Sequence, residues 1–346
     1  MSIVNELPAT PRDMSRVILG GIRATLLSQG SATKAELSRR LQISFPTVSK
    51  FLAQMERDGE LIAVGMDDSS GGRRAKRYAY NPEHVLGLAV FLERTETHYA
   101  VFNGLGEVKE QGQAPSFLLD GVQRFAEHVE EIAARYPKIR ALAIGVPGSV
   151  NQGRIIHIPD YEAFRDFDLK GYFEDRLAIP VVVENDMNAA VLGYHARKSD
   201  RDNPSLVYLY FGQNGPGAGI LINGNIVRGS TFFSGEVSFV PQYDDRSFGD
   251  ALNQGGVSEK GRLGGEEIDA VSRLVASFAA ILNPHAVIFN RDEVSDDVID
   301  RIASRSAAYI PEAHLPALDA SDWRQDYLFG LQHLGRSLMI SAPYRA

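Results

Sequence analysis

The sequence predicts an α/β body carrying an N-terminal winged helix-turn-helix, and three observations carry that expectation. From about residue 85 onward, strand-like and helix-like stretches alternate, the pattern of helices covering a sheet. The first 80 residues instead hold three short helical stretches and then two strand-like ones around a Gly-rich tip. Charge divides at the same place: residues 1–80 hold twelve Lys and Arg against eight Asp and Glu, and the remainder 24 against 36. A basic head on an acidic body suits a head that meets polyanions.

At 346 residues the chain exceeds one ordinary domain. The expected divisions are 1–80, 81–200 and 201–346, the last shortened and with a final helix able to pack back on the middle one. Asn81-Pro82 marks the first boundary, and the polar stretch Asp200-Arg201-Asp202-Asn203-Pro204 marks a hinge at the second. An apolar share of 44% supports real cores. No run reaches the roughly 18 apolar residues of a membrane span. Met1-Ser2-Ile3-Val4-Asn5-Glu6 lacks the order of a signal peptide. The absence of cysteine excludes disulfides and thiolate metal sites and fits a cytoplasmic protein.

In the head, residues 12–29 place Val17, Ile18, Ile22, Leu26 and Leu27 on one helical face, and Gly30 stops them. Ser31-Ala32-Thr33 caps a second helix, Lys34 to Leu41, with Ala35 and Leu37 inward. Ser44 and Pro46 open a third, to about Arg57, buried through Val48, Phe51, Leu52 and Met55. Two helices joined by Gln42-Ile43-Ser44 form a helix-turn-helix whose second helix would enter a DNA major groove. Ser44, Phe45, Thr47, Ser49 and Lys50 are left outside to meet bases and phosphates. Leu61 to Val64 and Arg73 to Tyr80 then flank Gly71-Gly72 as a wing, offering Arg73, Arg74, Lys76 and Arg77 to a DNA backbone. The plainer reading of the head is an interaction module with a solvated basic hairpin.

In the body, Val85 to Phe91 and Tyr99 to Phe102 read as strands, 120–135 as a helix with Phe125, Val129 and Ile132 inward, and Ala141 to Ile144 as a strand. Val181-Val182-Val183 reads as a buried strand ending at Glu184, followed by a helix through Ala189, Ala190 and Leu192. Leu206 to Phe211 is a further strand, and Gly215 to Gly219 reads as a glycine turn. Asn223-Gly224 signals a hairpin. Residues 267–282 and 323–341 read as helices, with the strand Ala286 to Phe289 between them.

The end of the Val181 strand delivers Asn185 and Asp186 to a crevice, where open α/β sheets bind ligands. Three readings stand for Asp186: a general base toward a hydroxyl, a hydrogen-bonding group for a polyhydroxyl ligand, or a cap on the next helix. Gly235 allows close backbone approach, and Glu236 adds a second carboxylate to the cleft. His157 and His195 read as exposed or core-rim residues, and Glu93 and Glu96 as a solvated strand edge or a phosphate-repelling pair.

Taken in order, Ser44 to Gly59 with Gly71-Gly72-Arg73, Ile144-Gly145-Val146-Pro147-Gly148, Val183-Glu184-Asn185-Asp186-Met187-Asn188-Ala189-Ala190, Gly217-Ala218-Gly219 with the hairpin, Arg228-Gly229, Gly235-Glu236 and Leu282-Asn283-Pro284 form a specific series. Over nearly its whole length the chain resembles the ROK family, which joins sugar-responsive transcriptional repressors with sugar kinases. The resemblance implies an actin-like, hexokinase-like ATPase fold of two subdomains around a cleft. It also implies sugar held by Asn185, Asp186 and Glu236; Gly148 and Ser149 complete the expected effector set.

Departures from the family's kinases are as informative. Their Asp-x-Gly phosphate loop corresponds here to Ala89-Val90-Phe91, so a nucleotide's magnesium lacks its anchor. Their zinc-binding His corresponds to Phe239, the Cys-rich loop is absent, and a late Gly-Gly is Asn290-Arg291. The expectation is therefore a non-enzymatic DNA-binding repressor of carbohydrate genes, with no metal or cofactor. It would act as a homodimer or tetramer on a palindromic operator, with a sugar or sugar derivative as effector. An active sugar kinase with a DNA-binding head, and a ligand-independent repressor with the body as dimerisation scaffold, are the alternatives.

Overall fold

The computed structural model describes residues 10–66, 75–158, 160–198, 202–212, 215–243, 245–253 and 263–341. The N-terminal segment comprises α1 (Pro11–Gln29), β1 (Ala32–Thr33), α2 (Lys34–Leu41), α3 (Phe45–Arg57), β2 (Leu61–Met66) and β3 (Lys76–Tyr80). Its helix ends follow local chemistry. The Thr10 hydroxyl accepts from the Asp13 N–H, Thr33 and Glu36 form a capping box, and Ser44 Oγ accepts from the Thr47 N–H at 3.3 Å. Gln42, left-handed at φ 54°, turns the chain between α2 and α3.

Ile18, Ile22, Leu26, Leu37, Val48, Leu52, Met55 and Tyr78 form the small core of this segment. Val17 and Ala35, expected inside, are exposed. The buried stripe of α1 follows the four-residue spacing of Ile18, Ile22 and Leu26, which leaves Val17 a hundred degrees off the stripe. The three strands pair antiparallel in the order β1-β3-β2. The expected Gly71-Gly72 tip, with Arg73 and Arg74, lies outside the described residues, as do Asp200 and Arg201 of the expected hinge.

Next come β4 (Leu86–Leu92), β5 (Glu96–Asn103), β6 (Val108–Pro115), α4 (Val122–Arg135), β7 (Ile139–Val146), β8 (Ser149–Asn151), β9 (Arg154–His157), β10 (Phe167–Asp168), α5 (Leu169–Leu177), β11 (Val181–Asn185) and α6 (Asp186–Lys198). After them stand β12 (Leu206–Tyr210), β13 (Gly217–Ile222), β14 (Asn225–Ile226), β15 (Pro241–Tyr243), β16 (Arg246–Ser247) and α7 (Phe248–Asn253). The chain ends through α8 (Gly265–Leu282), β17 (Ala286–Asn290), α9 (Asp296–Ser306), β18 (Ala317–Ser321) and α10 (Trp323–Ser341).

Two five-stranded mixed sheets dominate, ordered β6-β5-β4-β7-β11 and β14-β13-β12-β17-β18. They repeat one topology: three antiparallel strands in sequence, then two strands added in parallel beyond the first. Alternate residues of β4 serve opposite cores, Leu88 and Val90 on the α4 side and Ala89 and Phe91 on the other. That second core lies between the sheets, where α6 and α10 meet side chains of both. At the crossing, a Cβ on Gly193 would lie 1.8 Å from the Asp326 carbonyl oxygen, and one on Gly330 1.8 Å from that of Ala189. Only glycine lets the two backbones approach so closely.

Several strands and helices have no counterpart in the sequence expectations: β1, β6, β8 to β10, α5, β15, β16, α7, α9 and β18. Gly217-Ala218-Gly219, read as a turn, is instead the start of β13, paired with Leu209 and its neighbours. Its glycine serves helix packing, since a Cβ on Gly219 would meet the Met187 carbonyl oxygen at 2.0 Å. The hairpin at Asn223-Gly224 forms as expected, with both residues at positive φ, 49° and 75°. Among the described residues no helix is long and apolar enough to cross a membrane.

Candidate functional site

A cavity of about 590 Å³ lies at the carboxyl end of β11, against the start of α6 and the loop from Arg228 to Glu236. All five residues expected to hold an effector line it: Gly148, Ser149, Asn185, Asp186 and Glu236. Local geometry explains the placement. A Cβ on Gly148 would meet the His157 carbonyl oxygen at 2.3 Å, and Gly235, at φ 96°, accepts from the Ala218 N–H at 2.8 Å. Both turns therefore bring backbone close to the cavity wall.

Asn185 is committed to the scaffold more than expected. Its Nδ2 donates to the Gly148 carbonyl at 3.1 Å and to Asp186 Oδ1 at 2.8 Å, while its Oδ1 accepts from the Asn188 N–H at 3.0 Å. It thus caps α6 and ties the helix to the β7–β8 turn. Asp186 Oδ1 also accepts from the Met187 N–H at 2.9 Å. Although part of Asp186 stays open to the cavity, loss of water around its carboxyl pushes its pKa up to about 7. The Met187 N–H and the Asn185 amide oppose that rise, and the nearby Glu236 carboxylate adds to it. Burial likewise raises Glu236, partly offset by His157, which is exposed and lines the cavity.

A carboxyl raised in this way costs the fold stability whenever it ionises. Folding then gains from protonation: the contribution is full below the unfolded value near 4 and is lost as pH rises through about 7. Asp186→Asn keeps the acceptor and removes the charge, so it is expected to stabilise the protein at pH 8 by on the order of 3 kcal/mol. Its advantage should shrink as pH falls from 7 toward 4. Urea unfolding at pH 8, 6 and 4.5 measures this, and a pH-independent difference would contradict it.

Sequence reading missed the ion pair beneath the site. Glu184, 5% exposed, pairs with Arg228, and its Oε1 accepts from Asn188 Nδ2 at 3.1 Å. The pair joins the end of β11 to the segment after β14 across 44 residues of sequence, a separation no local pattern encodes. A second omission is the aromatic edge: Trp323 and Tyr210 line the cavity, stacked with centroids 4.3 Å apart and planes at 3°.

Beside this edge lies the β4–β5 hairpin. Phe91 packs against His98 and Tyr327 at 4.8 and 4.7 Å, and the Tyr327 ring occupies the space over Gly145. Arg324 reaches Glu96 at 2.7 Å and Glu93 at 3.3 Å, and burial raises the Glu93 carboxyl despite it. Candidate ligand atoms of Glu93, Glu96 and His98 lie within 4.8 Å of one another. A cation there would have to share them with the Arg324 guanidinium, which already pairs with both carboxylates.

On the N-terminal segment, α3 leaves Ser44, Phe45 and Lys50 exposed, with Thr47 and Ser49 half-buried. Phe45 is 52% exposed at the first position of the helix. Arg77 is turned inward, donating to Glu36 Oε2 at 3.1 Å and to Ser31 at 3.3 Å, and Lys76 pairs with Glu56. Of the basic residues expected on the wing, these two are thus engaged within the segment.

Residues 88–250 match the sequence pattern of the ROK family. The chain carries a ROK family domain. Proteins similar to this chain include the xylose repressor of Bacillus spizizenii, 24% identical over 227 residues, which are 61% of this chain and 57% of the repressor. Another is a beta-glucoside kinase of Listeria innocua serovar 6a, 32% identical over 137 residues, 39% of this chain and 46% of the kinase. The chain spans about half the length of the curated relatives it matches. In fold it is similar to a ROK family transcriptional regulator described as a homologue of the E. coli MLC protein. The TM-score is 0.72 at 18% identity, over 95% of this chain and 97% of that one. The ROK body is thus an α/β, actin-like ATPase fold built on the two matching sheets.

Proposed function

We propose that this protein is a DNA-binding transcriptional repressor whose operator affinity is set by a sugar or sugar derivative in the cavity, and that it does not phosphorylate that ligand. One observation carries the reading: a cavity built around Asp186 adjoins a hairpin that has no Asp-x-Gly phosphate loop. The positions of the kinase phosphate loop are buried Ala89, Val90 and Phe91, followed by the carboxylates of Glu93 and Glu96. Without an acceptor phosphoryl held in line, Asp186 has nothing to act on as a base. The named similarity to xylose repressors supports the same conclusion.

In this reading residues 1–80 are a winged helix-turn-helix, and 81–200 and 201–346 are the two subdomains around the cleft. Ser44, Phe45, Thr47, Ser49 and Lys50 on α3 face the major groove, while Arg73 and Arg74 serve the wing and Arg77, held by Glu36 and Ser31, braces its base. The protein acts in the cytoplasm as a homodimer or tetramer, with one head on each half-site. A route for coupling is built in. Helix α10, about 28 Å long, begins at the cavity with Trp323 and ends where the Ile340 carbonyl accepts from Arg23 Nη1 of α1 at 3.2 Å. An effector that favours one seating of α10 thereby biases the head.

Fluorescence anisotropy on the duplex this protein selects from a random pool tests the reading. Arg73→Ala/Arg74→Ala is expected to weaken binding at least tenfold and to flatten the salt slope by about 2. Full affinity in that variant would contradict the wing. With magnesium-ATP and a panel of sugars, no turnover is expected; turnover abolished by Asp186→Asn would overturn the non-enzymatic reading.

A further inference from the structure

We propose that the cavity takes an uncharged two-ring glycoside, its first pyranose beside Asp186 and its second ring against Phe233 and Phe239. The inference rests on the effector reading above and names the class of effector. Phe233 and Phe239 both line the cavity, 54% and 65% exposed, with ring centroids 5.3 Å apart. Two adjacent phenyl rings left in water carry an unfavourable hydration cost that a covering ligand would remove. Between Arg228 and Phe233, Phe232 holds φ 61°, a conformation that a bulky side chain adopts only when its surroundings impose it. The loop is tied down by the Ser234 N–H on the Arg228 carbonyl at 3.4 Å and the Glu236 N–H on that of Phe233 at 3.3 Å. Phe233 is therefore presented on an anchored loop, and Phe239 on the 3-10 turn Val237–Phe239 that follows, its N–H donating to the Glu236 carbonyl at 3.2 Å.

Size and charge narrow the occupant. A cavity of about 590 Å³ falls within the roughly 300–1,000 Å³ of sites that enclose ligands larger than a single pyranose. Glu93, Asp186 and Glu236 supply carboxyl groups to its wall beside His157, Arg94 and Arg228; Arg228 is already paired with Glu184, and Glu93 with Arg324. The desolvated carboxyls of Asp186 and Glu236 resist ionisation and offer the anion of a sugar acid or sugar phosphate no counter-charge, whereas a neutral ring finds hydroxyl partners at both. The C–H face of a second sugar ring and the face of an aryl aglycone offer the same chemistry to a phenyl surface.

Calorimetric titration of the full chain with D-glucose, D-xylose, cellobiose, xylobiose, phenyl β-D-glucoside and glucose 6-phosphate tests this. Each two-ring ligand is expected to bind at least about fivefold tighter than its single-ring counterpart, the factor one aromatic contact supplies. In Phe233→Ala/Phe239→Ala that ratio is expected to fall to about one, with far-UV circular dichroism confirming that the exposed substitutions leave the fold intact. The disaccharides and the phenyl glucoside report which second ring is preferred. Equal affinities in the wild type, a ratio that survives in the variant, or preference for glucose 6-phosphate would each overturn the proposal while leaving a sugar effector in place. Binding of no sugar at all overturns the effector reading together with it. Loss of self-association in the variant, with the ratio unchanged, assigns the rings to a contact between copies and also overturns it.

Discussion

Glu60→Gln is expected to remove about 3–5 kcal/mol of stability from the N-terminal segment, because it breaks an ion pair that water hardly reaches. Arg23 and Glu60 side chains are 3% and 5% exposed, and Arg23 Nη2 lies 3.3 Å from Glu60 Oε2. Such a pair gains little over an apolar pair of the same volume. Removing one member alone, however, leaves a guanidinium buried without its counter-charge. Arg23→Met/Glu60→Met should therefore recover much of what the single change loses. Urea unfolding followed by circular dichroism compares the three proteins, and a Glu60→Gln variant as stable as the wild type would contradict the account. Because Arg23 also holds the Ile340 carbonyl at 3.2 Å, the single change should further loosen the seat of α10 on α1.

Gly330→Ala provides a second test in which two effects of opposite sign compete. Helix propensity alone favours the change by about 1 kcal/mol. Packing opposes it, since the new methyl would stand 1.8 Å from the Ala189 carbonyl oxygen, an atom fixed in the backbone of α6. Neither helix has a side chain there to swing aside, so α6 and α10 must separate along the core shared by both sheets. A net loss of about 3 kcal/mol or more is expected. Gly193→Ala, 1.8 Å from the Asp326 carbonyl oxygen, should cost a similar amount. The double variant should cost less than the sum, because the first separation makes room for the second methyl. A stabilised Gly330→Ala protein in thermal unfolding would show that the crossing is looser than described.

How far the sequence could be read depended on whether the relevant signal was local. Residues 44–57 announced α3 through Ser44, Pro46 and the Val48–Leu52–Met55 spacing, and the helix runs from Phe45 to Arg57. The strand-to-helix junction at Asn185 and Asp186 was equally legible, because a β-branched run ending in polar residues states both the strand and its end. The polar edge strand β6, Val108–Pro115, carries no apolar alternation to announce it and went unread. Gly217-Ala218-Gly219 misled, since glycine marks a turn by its own conformational freedom and a strand by what presses against it.

By itself, then, the sequence determined the elements with periodic or turn chemistry, the basic head on an acidic body, and the polar end of β11 where a ligand would lie. The tertiary structure decided which carboxyl is raised, that Asn185 spends both amide hydrogens on the scaffold, and that Glu184 finds Arg228 from 44 residues away. It also set Trp323 and Phe239 on the same cavity as Asp186. Periodicity and capping act within a few residues and can be read along a chain. Desolvation, ion pairing and aromatic contact depend on groups that only the folded backbone brings within reach.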